Sequence, residues 1–353
     1  MNSYFIPFVV SFFISVLSTP GVLKFAQKYK LVDDPKTRNQ PARTHTGIIP
    51  RAGGLAILLG IIIPILLFVT LNKVVVGILV GAVLIVVTGL LDDYYDLSPF
   101  LRLVINFAIA VIVILFGLGV PYISNPFGGV IRLDQVYLTI SFLGTHKFLL
   151  FANIFAIFWI VSLMNFINLS KGVDGQLPGF VAISCLFIGI FALRFSSHEV
   201  AKSSVSMIAF VTSGAFAGFL VWNMYPQKIM PGYSGGALAG FMLATLSILS
   251  FAKLGILLMV LSVPIIDALY VFVRRILAGQ SPFKGDASHF HHRLLQIGWG
   301  RRRIAVFYWI ISFIFGVSAL YFRGEQKMLA FATATILIAC FIFIIQRIKE
   351  DMI

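Results

Sequence analysis

Cysteine is almost missing from this chain, with 2 in 353 residues. Both, Cys185 and Cys340, lie in apolar runs, which excludes a disulfide framework and a cysteine-ligated metal centre. Charge is scarce too. Only 11% of residues are charged and 59% are hydrophobic, whereas soluble domains carry about a quarter charged residues. Acids are scarcest of all, 13 Asp and Glu against 27 Lys and Arg, for a net charge of +14. The opening "MNSYFIPFVVSFFISVLSTPGVL" has no basic start and no small-residue cleavage site, so it reads as a retained first span rather than a signal peptide. Together these shortages exclude a soluble core and point to an all-α polytopic membrane protein, a single integral-membrane domain over 1–353.

Apolar runs of about 18–20 residues mark membrane-crossing helices. The sequence predicts about eleven by that rule, with cores at 4–23, 52–71, 74–91, 103–121, 148–167, 178–195, 203–222, 236–252, 254–273, 304–322 and 328–346. The stretch 122–147 reads as a small external β-hairpin or amphipathic lid. Alternating the loops places nineteen of the 27 lysines and arginines on one side. Positive charge favours the cytoplasm, so the N-terminus is expected outside and the C-terminus inside. The surplus charge fits this bias and attraction to anionic lipid. No basic segment interleaved with aromatics suggests a nucleic-acid partner.

The polar residues gather on the cytoplasmic side. They include Asp33, Asp34, His45 and Arg51; Asp92, Asp93, Asp96 and Arg102; Asn165, Asn168, Lys171 and Asp174; Asn223 and Lys228; and Asp286, His289, His291, His292 and Arg293. A transporter would place ionisable groups near the midplane of repeated halves. Here only Asp267 is well inside a span, and no internal repeat is evident. A membrane enzyme with a water-soluble substrate matches the one-sided pattern better.

Three motifs carry chemistry. "LLDDYYDLSP" places Asp92 and Asp96 four apart on one helical face, with Asp93 beside them. Carboxylates at a membrane boundary require a positive partner, and Mg²⁺ takes one or two carboxylates together with substrate phosphates. "HFHHRL" supplies His289, His291, His292 and Arg293. Without cysteine or a recognisable fourth ligand it suits a diphosphate or nucleotide clamp better than zinc. "NFINLSKGVDG" puts Asn165 and Asn168 one helical turn apart, before a glycine-containing turn whose N–H groups suit a ligand. "PRAGG" places Arg51 at the start of the second span.

In this order the motifs resemble the polyprenyl-phosphate N-acetylhexosamine-1-phosphate transferase family, glycosyltransferase family 4. The resemblance covers nearly the whole chain through "HTGIIPRAGG", "GLLDDYYDLSP", "NFINLSKGVDG", "WNMYPQKIMPGYSGG", "VPIIDALYVFVRR" and "DASHFHHRLLQIG". The His-x-His-His-Arg pattern is similar to the bacterial undecaprenyl-phosphate GlcNAc-1-phosphate branch, which starts O-antigen, enterobacterial common antigen or teichoic-acid synthesis. The pentapeptide transferases of peptidoglycan synthesis differ in that loop.

The resemblance implies a UDP-HexNAc donor, an undecaprenyl-phosphate acceptor and Mg²⁺, with Mn²⁺ as a substitute. It also implies the bacterial plasma membrane, a cytoplasmic active face, and room for a homodimer. It makes Asp92 and Asp93 catalytic and gives the metal to Asp93, Asn168 and Asp174. Substrate contacts fall to Arg51, Asn165, Asn168, Lys171, Asp174, Asn223, His289, His291, His292 and Arg293. A catalytically silent lipid-carrier or nucleotide-sugar binding protein on the same fold is the alternative. Two positions depart from the family pattern. Lys171 stands where the family has Asp in Asp-Gly-x-Asp-Gly, and Tyr233 stands where it has the metal-binding Asp of Met-Gly-Asp-Ser-Gly.

Overall fold

The computed structural model describes residues 2–36, 47–125, 129–141, 145–195, 199–250, 255–280, 289–322 and 325–351. In chain order it contains α1 (Asn2–Lys28), β1 (Val32–Asp33), β2 (Ile49–Pro50), α2 (Gly53–Phe68), α3 (Lys73–Tyr95) and α4 (Pro99–Leu115). Four strands follow, β3 (Tyr122–Ser124), β4 (Val130–Arg132), β5 (Tyr137–Ser141) and β6 (Thr145–Leu149). The rest is helical: α5 (Leu150–Leu169), α6 (Gln176–Phe195), α7 (Glu199–Asn223), α8 (Gly232–Leu249), α9 (Gly255–Val260), α10 (Ser262–Leu277), α11 (Phe290–Gln296), α12 (Arg301–Tyr321) and α13 (Glu325–Asp351).

Seven of these helices are long and apolar enough to cross a membrane: α1, α3, α5, α6, α7, α8 and α12. The protein is a helical, multi-pass membrane protein. Of the four remaining expected spans, 328–346 lies within the 27-residue α13, and the other three take shorter or broken forms. Helices α2 and α4, with 16 and 17 residues, reach only about 25 Å at 1.5 Å per residue, less than a hydrocarbon core of ~30 Å. The expected span at 254–273 is broken at Leu261 into α9 and α10. Pro264 stands in the first turn of α10 and has no N–H to donate back across that break. The expected single hairpin near 122–147 is two successive antiparallel hairpins, β3–β4 and β5–β6, the second pairing Tyr137 with Leu149 and Ser141 with Thr145.

Local sequence sets the helix ends. Asn72 accepts a hydrogen bond from Val75 N–H at 2.9 Å and caps α3. Ser98 does the same for α4 through Leu101 N–H at 3.2 Å, with Pro99 in the first turn. Both are side-chain acceptors for otherwise orphaned first-turn donors.

Helix α8 is the centre of the bundle, buried along almost its whole length. Its sequence, GYSGGALAGFMLATLSIL, is dominated by small residues, which let membrane helices approach closely. Gly236 and Gly240, four residues apart, face α5. A Cβ at Gly236 would overlap Asn168, and one at Gly240 would overlap the Leu163 carbonyl of α5. On its other side, Gly54 of α2 and Gly89 of α3 lie against the backbone of Ser234 and Gly235. Helix α7 meets α1 in the same way, with Gly214 and Gly218 against the Phe8 and Phe12 carbonyls. The Ser11 hydroxyl lies 2.6 Å from both the Gly60 and Val211 carbonyls and ties α1, α2 and α7 together.

The contact at Gly89 gives a direct test. Its neighbours are backbone atoms of Ser234, so a methyl group there forces α3 and α8 apart, an overpacking that costs about 1–3 kcal/mol. Gly89→Ala is expected to lower the melting temperature in detergent by several degrees. Gly21→Ala, which meets nothing within 4 Å, serves as the control. Equal melting of the two variants would contradict this packing.

Candidate active site

The last turn of α3 brings Asp92 and Asp93 into the bundle, each 1% exposed. Their depth follows from Gly89, one turn earlier, which lets α3 touch the first turn of α8. Asp96 does not share their face as the spacing predicts. It is the left-handed C-cap of α3, with φ 54°, and is exposed. A change of backbone hand ends the four-residue periodicity.

Three cations surround the pair. Arg51 Nη2 lies 2.9 Å from Asp93 Oδ1. It is fixed by the short β1–β2 ladder and by its own N–H, which donates to the Leu31 carbonyl at 2.9 Å. Arg102 Nε, on the first turn of α4, lies 3.3 Å from Asp92 Oδ1. Lys171, in the α5–α6 turn, donates to the Gly232 carbonyl at 2.9 Å and places its ammonium 6.0 Å from the Tyr233 ring centre. Arg102 is 5.4 Å from the same ring. Burial pushes the Lys171 ammonium down to about 8, against the opposing pull of the Asp93 carboxylate. It therefore remains charged near neutral pH.

Tyr233 is buried and its N–H donates to Asp93 Oδ1 at 3.2 Å. Its hydroxyl receives the Asn106 amide at 3.0 Å. Arg102 and Asn106, four apart on α4, present one polar face to Tyr233. Asn106 was not singled out from the sequence, although that spacing was its signal.

A second group stands across the Lys171–Gly172 turn. His289, His291, His292 and Arg293 are all buried at the start of α11. Asp267 of α10 organises them, accepting from Phe290 N–H at 2.7 Å and from His289 Nδ1 at 3.1 Å. An acid inside an apolar run needs such a partner, and that requirement was the signal for its role. His291 packs against Gly172 so closely that a Cβ there would overlap its ring. Burial, with His292 and His289 adding to it, holds the His291 imidazole well below its ordinary value, hence neutral. The Arg293 guanidinium lies 5.2 Å from the Tyr270 ring centre.

The other expected residues divide into two sets. Asp174 is buried and accepts from Gln227 N–H at 3.1 Å, with Arg301 Nη1 at 3.8 Å. Asn223 is a fastener: its oxygen accepts from Gly175 N–H at 3.0 Å, and its amide reaches Gln227 Oε1 and the Ile229 carbonyl. Asn165 donates to the Val161 carbonyl of its own helix at 2.7 Å. Asn168 Oδ1 faces Gly236 and makes no hydrogen bond among the described residues. Gln227 and Arg301 carried no recognisable pattern. His45 and Asp286 lie outside the described residues.

Both acids among the expected Mg²⁺ ligands, Asp93, Asn168 and Asp174, already face a cation, Arg51 at Asp93 and Arg301 at Asp174. Among the described residues no group of three His, Cys, Asp or Glu is gathered for a metal, so Asp92, Asp93 and Asp174 are not one cluster. At the carboxylate pair, three cations face two buried anions, while the exposed Asp96 adds a weaker, water-screened negative charge. At about 5 Å and an effective dielectric near 20, a divalent ion is repelled by roughly 7 kcal/mol per cation and attracted equally per carboxylate. Three against two leaves net repulsion. The same imbalance favours an anion with several oxygens. Arg51 Nη1 is a buried donor with no hydrogen-bond acceptor among the described residues.

Comparison with known proteins identifies the family. The model of glycosyl transferase family 4 matches residues 75–251, a stretch from α3 to just past α8 that holds both aspartates, Lys171 and Tyr233. A probable undecaprenyl-phosphate N-acetylglucosaminyl 1-phosphate transferase of Bacillus subtilis is 33% identical over 341 residues, covering 94% of this chain and 88% of the relative. A decaprenyl-phosphate N-acetylglucosaminephosphotransferase of Mycobacterium leprae is 31% identical, covering 89% and 83%. A phospho-N-acetylmuramoyl-pentapeptide-transferase of a Geobacillus strain is 28% identical, covering 89% and 95%. With half its length matched by the family model and a relative aligned along nearly all of it, the chain belongs to glycosyl transferase family 4.

Proposed function

We propose that the protein transfers N-acetylglucosamine 1-phosphate from its UDP derivative to undecaprenyl phosphate and releases UMP, the first membrane step of a cell-envelope polysaccharide. The observation that carries this reading is the buried Asp92–Asp93 pair enclosed by Arg51, Arg102 and Lys171 at the end of an apolar helix. A lipid phosphate and a nucleotide diphosphate can meet there with their charge neutralised. The names of the relatives support the donor and acceptor classes.

The reaction balances without a proton. An oxygen of the lipid phosphate dianion attacks the phosphorus bonded to the sugar, and a P–O bond forms. The bond from that same phosphorus to the bridging oxygen breaks, and the oxygen keeps the electron pair and leaves on UMP as a dianion. Phosphoryl transfer depends chiefly on positioning and electrostatic stabilisation, so the cations bear the main load. Asp92 and Asp93 hold Arg102 and Arg51 in place. The His289–Arg293 segment binds donor sugar or phosphate, while Asn168 and Asp174 face the nucleotide. Asn165 and Asn223, whose amides are committed to the fold, position the loops that carry them.

The reading includes eleven passes, with the N-terminus outside and the site at the cytoplasmic face of the bacterial plasma membrane. A homodimer is compatible with it. The shorter helices α2 and α4, the broken α9–α10 pair and α13 add four passes to the seven long spans.

Two measurements test these statements. Asp92→Asn and Asp93→Asn are each expected to reduce UMP release from UDP-GlcNAc by at least ~100-fold, about 2.7 kcal/mol, while eluting as folded protein in detergent. Near wild-type turnover in both would remove the site. UDP binding without UMP release from any UDP-sugar by the unsubstituted protein would give the silent binding reading instead. For topology, a cysteine replacing Ser98 in a background free of Cys185 and Cys340 should be shielded from an impermeant thiol reagent added to intact cells. A cysteine replacing Arg132 should label. The reverse pattern would invert the chain.

A further inference from the structure

We propose that Lys171, together with Arg51 and Arg102, contacts the donor diphosphate directly and supplies there the positive charge that a divalent cation would otherwise bring. The inference rests on the transferase reading and deepens it: the site binds a nucleoside diphosphate without metal.

Three observations converge. First, the balance of side chains is positive, since Asp92 and Asp93 face three cations. Second, the donors are not exhausted. One Lys171 N–H is committed to the Gly232 carbonyl at 2.9 Å, and an ammonium has three. Arg51 Nη1 is buried without a hydrogen-bond acceptor among the described residues. Unmet donors on Lys171 and Arg51 at one place suit two adjacent phosphates, which offer many oxygens in a small volume.

Third, Tyr233 joins the cations instead of offering a ligand. Its hydroxyl is occupied by Asn106 at 3.0 Å. Its ring carries Arg102 at 5.4 Å and Lys171 at 6.0 Å, within the range of cation–π attraction. Tyr233 is thus a positioning residue for two cations. Lys171 and Tyr233 form one device, and a carboxylate at either position would undo it.

In the transfer step, the ammonium lies beside the phosphorus bonded to the sugar and its bridging oxygen. It favours the charge that accumulates as the P–O bond to the nucleotide breaks and UMP departs. No proton moves, and no further reactant enters.

The experiment uses the full chain in detergent, with UDP and uridine as calorimetric probes in EDTA and then in excess MgCl₂. UMP release is followed under the same conditions. The unsubstituted protein is expected to bind UDP in EDTA and to gain less than about threefold in affinity with Mg²⁺. Lys171→Met is expected to weaken UDP binding at least ~10-fold while changing uridine binding by less than about twofold. Lys171→Arg should restore most of the loss. Lys171→Asp with Tyr233→Asp should recover UDP binding only with Mg²⁺. Loss of UDP binding by the unsubstituted protein in EDTA, with recovery in Mg²⁺, would overturn the inference. Equal UDP affinity in Lys171→Met and the unsubstituted protein would do so too. If Lys171→Met does not fold, the EDTA comparison on the unsubstituted protein decides alone. Lysine-dependent UDP binding in EDTA without UMP release from any UDP-sugar would uphold the inference and remove the transferase reading.

Discussion

The structure depends on how closely the first turn of α8 approaches its neighbours. At Gly232, φ is +71° and a Cβ would overlap both the Arg51 carbonyl and the Asp93 carboxylate. Glycine alone accepts that backbone and that crowding. Because nothing projects from this position, the N-terminus of α8 meets the C-terminal end of α3, and the Tyr233 N–H can donate to Asp93. The positive end of a helix dipole favours a carboxylate there. Gly54 and Gly89 extend the same close contact to α2 and α3. In a membrane, where lipid offers apolar contact equal to that of another helix, such packing between small residues is a principal source of specificity.

Burial of two carboxylates side by side would be prohibitive without compensation. The chain meets that requirement with cations from three separate segments: Arg51 before α2, Arg102 on α4 and Lys171 between α5 and α6. Each is held by a backbone or aromatic partner. The carboxylates fix the cations, and the cations make the carboxylates tolerable. The surplus positive charge that results suits an anionic ligand. The histidine group follows similar logic at one remove. Asp267 satisfies His289 and the first free N–H of α11, and this sets His291 against Gly172, next to Lys171.

Much of this was legible in the amino-acid order. Hydropathy marked the position of each long helix because a span must be apolar throughout. The Asp92–Asp93 pair, the His-x-His-His-Arg segment and the glycine-containing turn after Asn168 stood out because polar groups near lipid are costly and rarely incidental. The departures at Lys171 and Tyr233 were visible as departures. Their distance in space was not, since nothing in the order of residues sets the Lys171 ammonium 6.0 Å from the Tyr233 ring centre.

Tertiary structure decided the remainder. The sequence determined that the chain is a helical membrane protein with its chemistry gathered in a few loops, because composition and period are local properties. Only the packed structure separated Asp96, turned away by a left-handed cap, from Asp92 and Asp93. It committed Asn165 and Asn223 to the fold, broke one apolar run into α9 and α10, and brought Asn106 and Asp267 into use. It also placed three cations, from segments separated by dozens of residues, around one pair of acids. Electrostatic balance is a property of distance in space, and a linear order of residues does not contain those distances.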